Sequence, residues 1–336
     1  MKILKPVSAL VLVAGLSLGM ASCSTSAVEE EASGDSKATA VGENDAYPVS
    51  IDTKFGEVTI EEVPERVVAL GWGDAETALE FGVQPVGASD WIAFGGEGVG
   101  PWISDTAYEQ APEIIGTMEP EFEKIAALEP DLILDVRSSG DQERYDKLSS
   151  IAPTVGAPEG GDSYLTPREQ QVTMIATALG QAERGEEVNA EYNQLVADVR
   201  DAHPEWSTKT VAAASATAAD WGAYIKGSNR VDTLLDLGFK ENPELASAEA
   251  GDTGFSLDFS EETFSTVDSD LVVGFAVGIT PEEMAEKTPW QMLSATREGR
   301  SFVMPRDISS AFSLGTPQST RYALEKLVSL LEEHTS

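Results

Sequence analysis

The sequence predicts an α/β protein: two similar lobes with parallel-rich sheets, joined by one long backbone helix. Three observations carry this. Gln181–His203 reads as a single helix, with Val188, Tyr192, Leu195, Val196 and Val199 at three- and four-residue spacing and charges on the other faces. The chain before it alternates short apolar runs with helical patterns, the grammar of a parallel sheet covered on both faces. The chain after it repeats the first half weakly. Glu123-Lys-Ile-Ala-Ala-Leu-Glu-Pro-Asp131-Leu-Ile is echoed by Glu262-Thr-Phe-Ser-Thr-Val-Asp-Ser-Asp270-Leu-Val. Val67-Val-Ala-Leu is echoed by Val211-Ala-Ala-Ala, and Leu79-Glu-Phe-Gly82-Val by Leu235-Asp-Leu-Gly238-Phe.

The connecting helix follows Gly180 and stops before Pro204. At ~1.5 Å per residue it would span roughly 33 Å. Gly185 weakens its first turn. The expected divisions are a leader over 1–22, a tether over 23–46, a first lobe over 47–180, the helix over 181–203 and a second lobe over 204–336.

The leader has a positive start at Lys2 and Lys5, then the apolar run Val7–Met20, too short to span a bilayer core of ~30 Å. Ala21 and Ser22 precede the single cysteine, Cys23. This segment resembles a bacterial lipobox, with Met20 where Leu is usual, and the resemblance implies lipidation of Cys23 and anchoring at the extracytoplasmic face of the cell membrane. Ser24–Ala46 has almost no large apolar residue and reads as a flexible tether.

In the first lobe, Val49–Thr53 and Glu57–Ile60 form a hairpin pattern around Phe55-Gly56. Arg66–Leu70 is a buried strand, Asp74 a candidate cap for a helix Ala75–Phe81, and Pro85–Ala88 a second strand. Ligands of such sheets sit beyond the carboxyl ends of the strands. There the chain places Trp72, then Trp91, Phe94, Trp102 and Tyr108 in a Gly-rich stretch, and Arg137. Exposed indoles in polar loops point to a ligand or a facing lobe. In the second lobe, Val211–Ala214 is followed by Trp221, Tyr224, Lys226 and Arg230. Arg230–Leu237 is a helix, Asp270–Val273 a strand, and Pro281–Glu286 and Pro289–Leu293 are short helices with Pro in the first turn. Ser301–Met304 is a last strand, Arg306–Phe312 a loop, and Tyr322–Leu331 a terminal amphipathic helix.

The chain carries 58 Asp+Glu against 22 Lys+Arg, a formal net charge of −36, which disfavours nucleic acid and anionic membrane surfaces. No phosphate-binding loop and no dinucleotide fingerprint occur. The two histidines, His203 and His334, are spaced for neither a metal cluster nor a catalytic triad. With Cys23 in the leader, nucleophile-plus-base catalysis lacks candidates, and the chain is not expected to be an enzyme or to hold a resident cofactor.

Taken together, Pro64-Glu-Arg-Val-Val-Ala-Leu, Leu79…Gly82-Val…Pro85-Val-Gly, the Glu123–Ile133 motif, Tyr145-Asp-Lys-Leu-Ser-Ser-Ile-Ala-Pro-Thr-Val and Gly227-Ser…Leu-Asp-Leu-Gly-Phe resemble the ferric-siderophore branch of the class III substrate-binding proteins of ABC importers. The resemblance runs from about Tyr47 to Leu331. It implies two lobes joined by a helix with little hinge motion, a ferric siderophore held in the interlobe cleft, and docking on ABC permease subunits. It implies that Arg137 and Arg230 meet chelate oxygens and that Glu123 and Glu262 meet permease arginines. Arg supplies charge-assisted bonds to such oxygens, and indoles cover an apolar rim. The expected ligand-facing set is Trp72, Trp91, Trp102, Tyr108, Arg137, Trp221, Tyr224, Arg230, Arg306 and Phe312. Basic residues near the cleft are few, which favours a hydroxamate or mixed-type chelate over a catecholate. A monomer is expected. Two alternatives stand beside this reading: haem or cobalamin in the same fold, with Tyr108 or Tyr224 as the axial ligand of a haem, and a surface lipoprotein without a transport role.

Overall fold

The computed structural model describes residues 46–249, 251 and 254–335. The leader, Cys23 and nearly all of the expected tether lie outside them. No described helix is long and apolar enough to cross a membrane.

The first half opens with a hairpin of β1 (Val49–Thr53) and β2 (Gly56–Ile60). Next come β3 (Val67–Ala69), α1 (Asp74–Glu80), β4 (Gly87–Ser89), β5 (Glu113–Ile115), α2 (Phe122–Ala127), β6 (Leu132–Leu134), α3 (Gln142–Ser149), β7 (Thr154–Val155) and α4 (Arg168–Ala178). The five strands β3–β7 make one all-parallel sheet in the order β5-β4-β3-β6-β7. Side chains alternate across it. Val67, Ala69, Leu132 and Leu134 pack toward α4 and the long helix, whereas Val68, Leu70 and Ile133 meet Ile125 and Leu148 on the other face.

The long helix α5 runs Ala182–Ala202 and buries Val188, Tyr192 and Val196. Gly185 is buried where α5 crosses α4: a Cβ there would lie 2.5 Å from that of Ala176. The residue that weakens the first turn is thus required by close packing of two helices.

After α5 come β8 (Thr210–Ala216), β9 (Trp221–Tyr224), α6 (Asn229–Asp236), β10 (Lys240–Glu241), α7 (Pro243–Ala246), β11 (Ser256–Phe259) and β12 (Leu271–Ala276). They are followed by α8 (Pro281–Glu286), α9 (Thr288–Met292), α10 (Ser294–Arg297), β13 (Ser301–Val303), α11 (Arg306–Leu314) and α12 (Pro317–Thr335). The second sheet has the order β11-β9-β8-β12-β13, with β10 also on β8. β8, β12, β13 and β10 are parallel, while β9 is antiparallel to both its neighbours.

The internal repeat is structural. Val67 pairs with Leu132 in one sheet, and Val211 with Leu271 in the other. Asp131, just before β6, accepts bonds from the backbone N–H groups of Glu65 and Arg66, pinning the entry to β3. Asp270, just before β12, accepts from the Thr210 N–H and hydroxyl at the entry to β8. The first helix of each half ends alike: Gly82 bonds back to Leu79 and Val83 to Ala78, as Gly238 does to Leu235 and Phe239 to Leu234.

Three expectations fail. Asp74 does not cap α1, because Gly73 occupies the cap position with no side-chain bond, and Asp74 turns inward within the helix. Arg306–Phe312 is not a loop. Pro305 precedes and Gly315 closes a helix whose Ile308, Ala311 and Phe312 form a buried stripe at helical spacing. Trp221–Tyr224 is a strand, β9, rather than part of a ligand loop. The terminal helix is also longer than its apolar pattern suggested, and it packs on both α5 and α1.

Candidate functional site

A cavity of about 310 Å³ is lined from the first half by Trp72 and Trp91 and from the second by Tyr224, Arg230, Phe255, Phe275 and the serines of α11. Trp72 follows β3 and Trp91 follows β4, the carboxyl ends of adjacent parallel strands, so strand pairing brings the two indoles together. Their rings stack at 4.0 Å, 7° from parallel. Tyr164 stacks on Trp72 at 4.0 Å, giving a three-ring column. Tyr164 follows β7, two strands beyond β3 in the same sheet. Its place in a Gly-rich stretch beyond a strand end is the signal by which it could have been found.

Facing the column, the Arg230 guanidinium lies 4.2 Å from the ring centre of Tyr224 and 5.7 Å from that of Phe275. Arg230 sits in the first turn of α6. Its Nε and the indole N–H groups of Trp72 and Trp91 are buried without a hydrogen-bond partner. All three are donors on residues that line the cavity, and no acceptor of the described residues reaches them. Ser309, Ser310 and Ser313 of α11 also line the cavity; the first two are half-buried and Ser313 is buried.

Arg137 stands close by but is committed elsewhere. Its Nε donates to the Tyr164 carbonyl at 3.1 Å and its Nη1 to the Leu314 carbonyl at 2.7 Å. Burial, and secondarily repulsion from Arg230, push its pKa down to about 10, so it remains a cation near neutral pH. It bridges the two halves behind the column and is not among the residues lining the cavity.

The remaining predicted residues divide. Trp102 donates its indole N–H to Glu76 at 2.9 Å and packs against Phe94 and against Tyr322 of α12. Tyr108 is buried away from the cavity lining, and burial, with the charges of Glu76 and Glu97, raises its hydroxyl pKa, which suits a phenolate ligand poorly. Trp221 is buried among Phe264 and neighbouring core residues. It lies three positions before Tyr224 on one strand, and odd spacing puts the two on opposite faces. Phe312 is buried in the other core cluster, because α11 turns Ile308 and Phe312 inward and its serines toward the cavity. Arg306 is exposed and lines a smaller hollow of about 120 Å³ that shares Ala276, Gly278, Ser309 and Ser310 with the aromatic cavity. Glu123 and Glu262 are both exposed, near the starts of the helical turns that lead into β6 and β12.

A larger groove of about 820 Å³ runs between the start of α4, α5 and α6. Its walls mix Arg168, Arg200 and Lys226 with Glu169, Asp232 and Asp236, and none of the predicted ligand residues lines it. Convergent rings and unpaired donors make the smaller cavity the stronger candidate for a ligand site.

Residues missed by sequence reasoning complete the site. Asp74 accepts from the Val136 N–H and from Gln171, and burial raises its pKa to about 6 despite these bonds. Gln171 also donates to the Trp72 carbonyl, so Asp74 and Gln171 set the turn that presents Trp72. Arg144 forms a two-pronged buried pair with Asp135 at 3.0 and 2.6 Å, bracing the end of β6.

Residues 67–308 match the family model described as periplasmic binding protein, and the chain belongs to that family. It is 28% identical over 257 residues to a protein of Bacillus subtilis named a probable siderophore-binding lipoprotein, covering 71% of this chain and 74% of the relative. The fold is that of a periplasmic solute binding protein from Mycobacterium smegmatis, with a TM-score of 0.74 at 24% identity over 86% of this chain and 99% of that one. It is also similar to PiaA of Streptococcus pneumoniae in complex with ferrichrome, with a TM-score of 0.72 at 25% identity over 85% of this chain and 98% of the other.

Proposed function

We propose that this family member captures a ferric siderophore in the aromatic cavity and delivers it to an ABC permease. The observation that carries the reading is the donor-rich wall: Trp72, Trp91 and Arg230 each bury an unpaired N–H beside one space shared by both halves. A chelate shell of oxygens supplies the acceptors these groups lack, and ring faces cover its apolar edges. With Arg137 bonded to backbone carbonyls, Arg230 is the one cation in the cavity lining, among the described residues. One guanidinium balances little negative charge, which favours a hydroxamate or mixed-type chelate over a highly charged catecholate.

The names of the relatives support a siderophore as the ligand. In this reading Cys23 carries the lipid anchor, residues 24–46 tether the protein outside the membrane, and the protein acts as a monomer. Glu123 and Glu262, exposed and at equivalent points of the repeat, dock on two permease subunits. Residues 47–180 and 204–336 act as lobes about the helix 181–203.

Tryptophan-fluorescence titration with a panel of ferric chelates tests the assignment. Ferric hydroxamates are expected to quench emission saturably and to raise the melting temperature. A panel that spans hydroxamate, catecholate and carboxylate chelates and changes neither would overturn it.

A further inference from the structure

The two halves are joined at a second place besides α5. The segment Leu314–Thr316, from the last residue of α11 to the start of α12, is wedged between the first turns of α1 and α6. On one side the Thr316 hydroxyl donates to the Glu76 carboxylate at 2.8 Å, and Gln318 donates to the Glu76 backbone carbonyl at 3.3 Å. One turn along α1, Glu80 pairs with Arg321 at 2.8 Å. On the other side Asn229 of α6 donates to the Phe312 carbonyl at 2.8 Å.

The fit leaves no slack. Gly315 adopts φ +69°, and a Cβ there would lie 2.3 Å from the Asn229 side chain. A Cβ on Gly73 would lie 2.8 Å from Thr316 Cγ2. Larger residues at either point would push the segment out.

Glu76 ties this wedge to the cavity wall. Its buried carboxylate also accepts from the Gly100 N–H at 3.0 Å and from the Trp102 indole, both in the stretch that follows Trp91. Trp72 lies four residues before Glu76, and Ser313 three before Thr316, and both line the cavity. The bond between Glu76 and Thr316 therefore joins the two cavity walls within one turn of each.

We propose that Leu314–Thr316 is an interlobe clasp that sets the width of the ligand cavity, with Glu76 and Thr316 as its positioning residues. Its ligand-binding consequence rests on the siderophore reading above; its effect on interlobe distance does not.

The test uses the full chain with Cys23→Ser and spin labels on cysteines introduced at the exposed positions Glu143 and Glu282, one in each half. Thr316→Val should broaden the ligand-free distance distribution, and Thr316→Ser, which keeps the hydroxyl, should restore it. With ferrichrome as the probe, Thr316→Val should speed dissociation about three- to tenfold, the range expected for one lost hydrogen bond. Arg321→Ala, which cuts the less buried link to Glu80, should broaden the distribution too and guards against a Val variant that fails to fold. Distributions unchanged in every variant that folds, with only the melting temperature lowered, would overturn the clasp. If ferrichrome and the other chelates fail to bind, the function is wrong while the distances still decide the clasp.

Discussion

Arg137 donates to the backbone carbonyl of Leu314, 177 residues further along the chain, at 2.7 Å. This guanidinium, which the family resemblance sets against a ligand, braces the two halves through its Nε and Nη1, while its neighbour Arg230 lines the cavity. The two arginines should therefore fail differently.

Arg230→Met is expected to weaken ferric-chelate binding by at least tenfold, the effect of one charged hydrogen bond of ~1.5–3 kcal/mol, with little change in the denaturation midpoint. Arg137→Met should lower stability by on the order of 3 kcal/mol, since two buried carbonyls lose their donor. Isothermal titration and urea denaturation of both variants check this. Equal loss of affinity without loss of stability in Arg137→Met would restore it to the ligand shell.

Six tryptophans report on different places. Trp72→Phe with Trp91→Phe should abolish most of the quenching by a bound ferric chelate. Trp221→Phe should leave the fractional quenching nearly unchanged, because that indole is buried in the core on the other face of β9. The measurement is the saturating change in emission for each variant.

Asp74 gives a pH signature. Its folded pKa, about 6, lies above the ordinary 3.8, so the native state holds a proton that the unfolded chain has released between those values. Its contribution to stability is full below pH 3.8 and is lost as pH rises through 6, by about 3 kcal/mol in all. The stability of the wild type minus that of Asp74→Asn should fall across this window and be flat above it. Urea midpoints from pH 4 to 8 read the difference; a rise across the window would reverse the assignment.

Gly185→Ala sets two effects against each other. Helix propensity favours Ala by about 1 kcal/mol. The added Cβ would meet Ala176 at 2.5 Å, and overpacking of a buried helix contact costs about 1–3 kcal/mol. Packing should win, with a lower melting temperature by calorimetry. A higher one would mean that α4 and α5 separate easily.

The sequence alone determined the α/β class, the span of α5 and the repeat, because these live in short-range patterns. Helical spacing exposes α5, and the equivalent strand entries at Asp131 and Asp270 carry matching local motifs. Trp72 and Trp91 were likewise legible as cavity-lining residues, since the ends of adjacent parallel strands share one edge, whereas Tyr224 reaches the same cavity from the antiparallel β9 and Arg230 from the first turn of α6. Only the tertiary structure decided which way side chains on misread elements turn. Trp221 and Phe312 face inward because their segments are a strand and a helix rather than loops. It alone showed that Arg137 is used by Leu314 and Glu76 by Thr316, as bonds across 177 and 240 residues leave no periodicity to read.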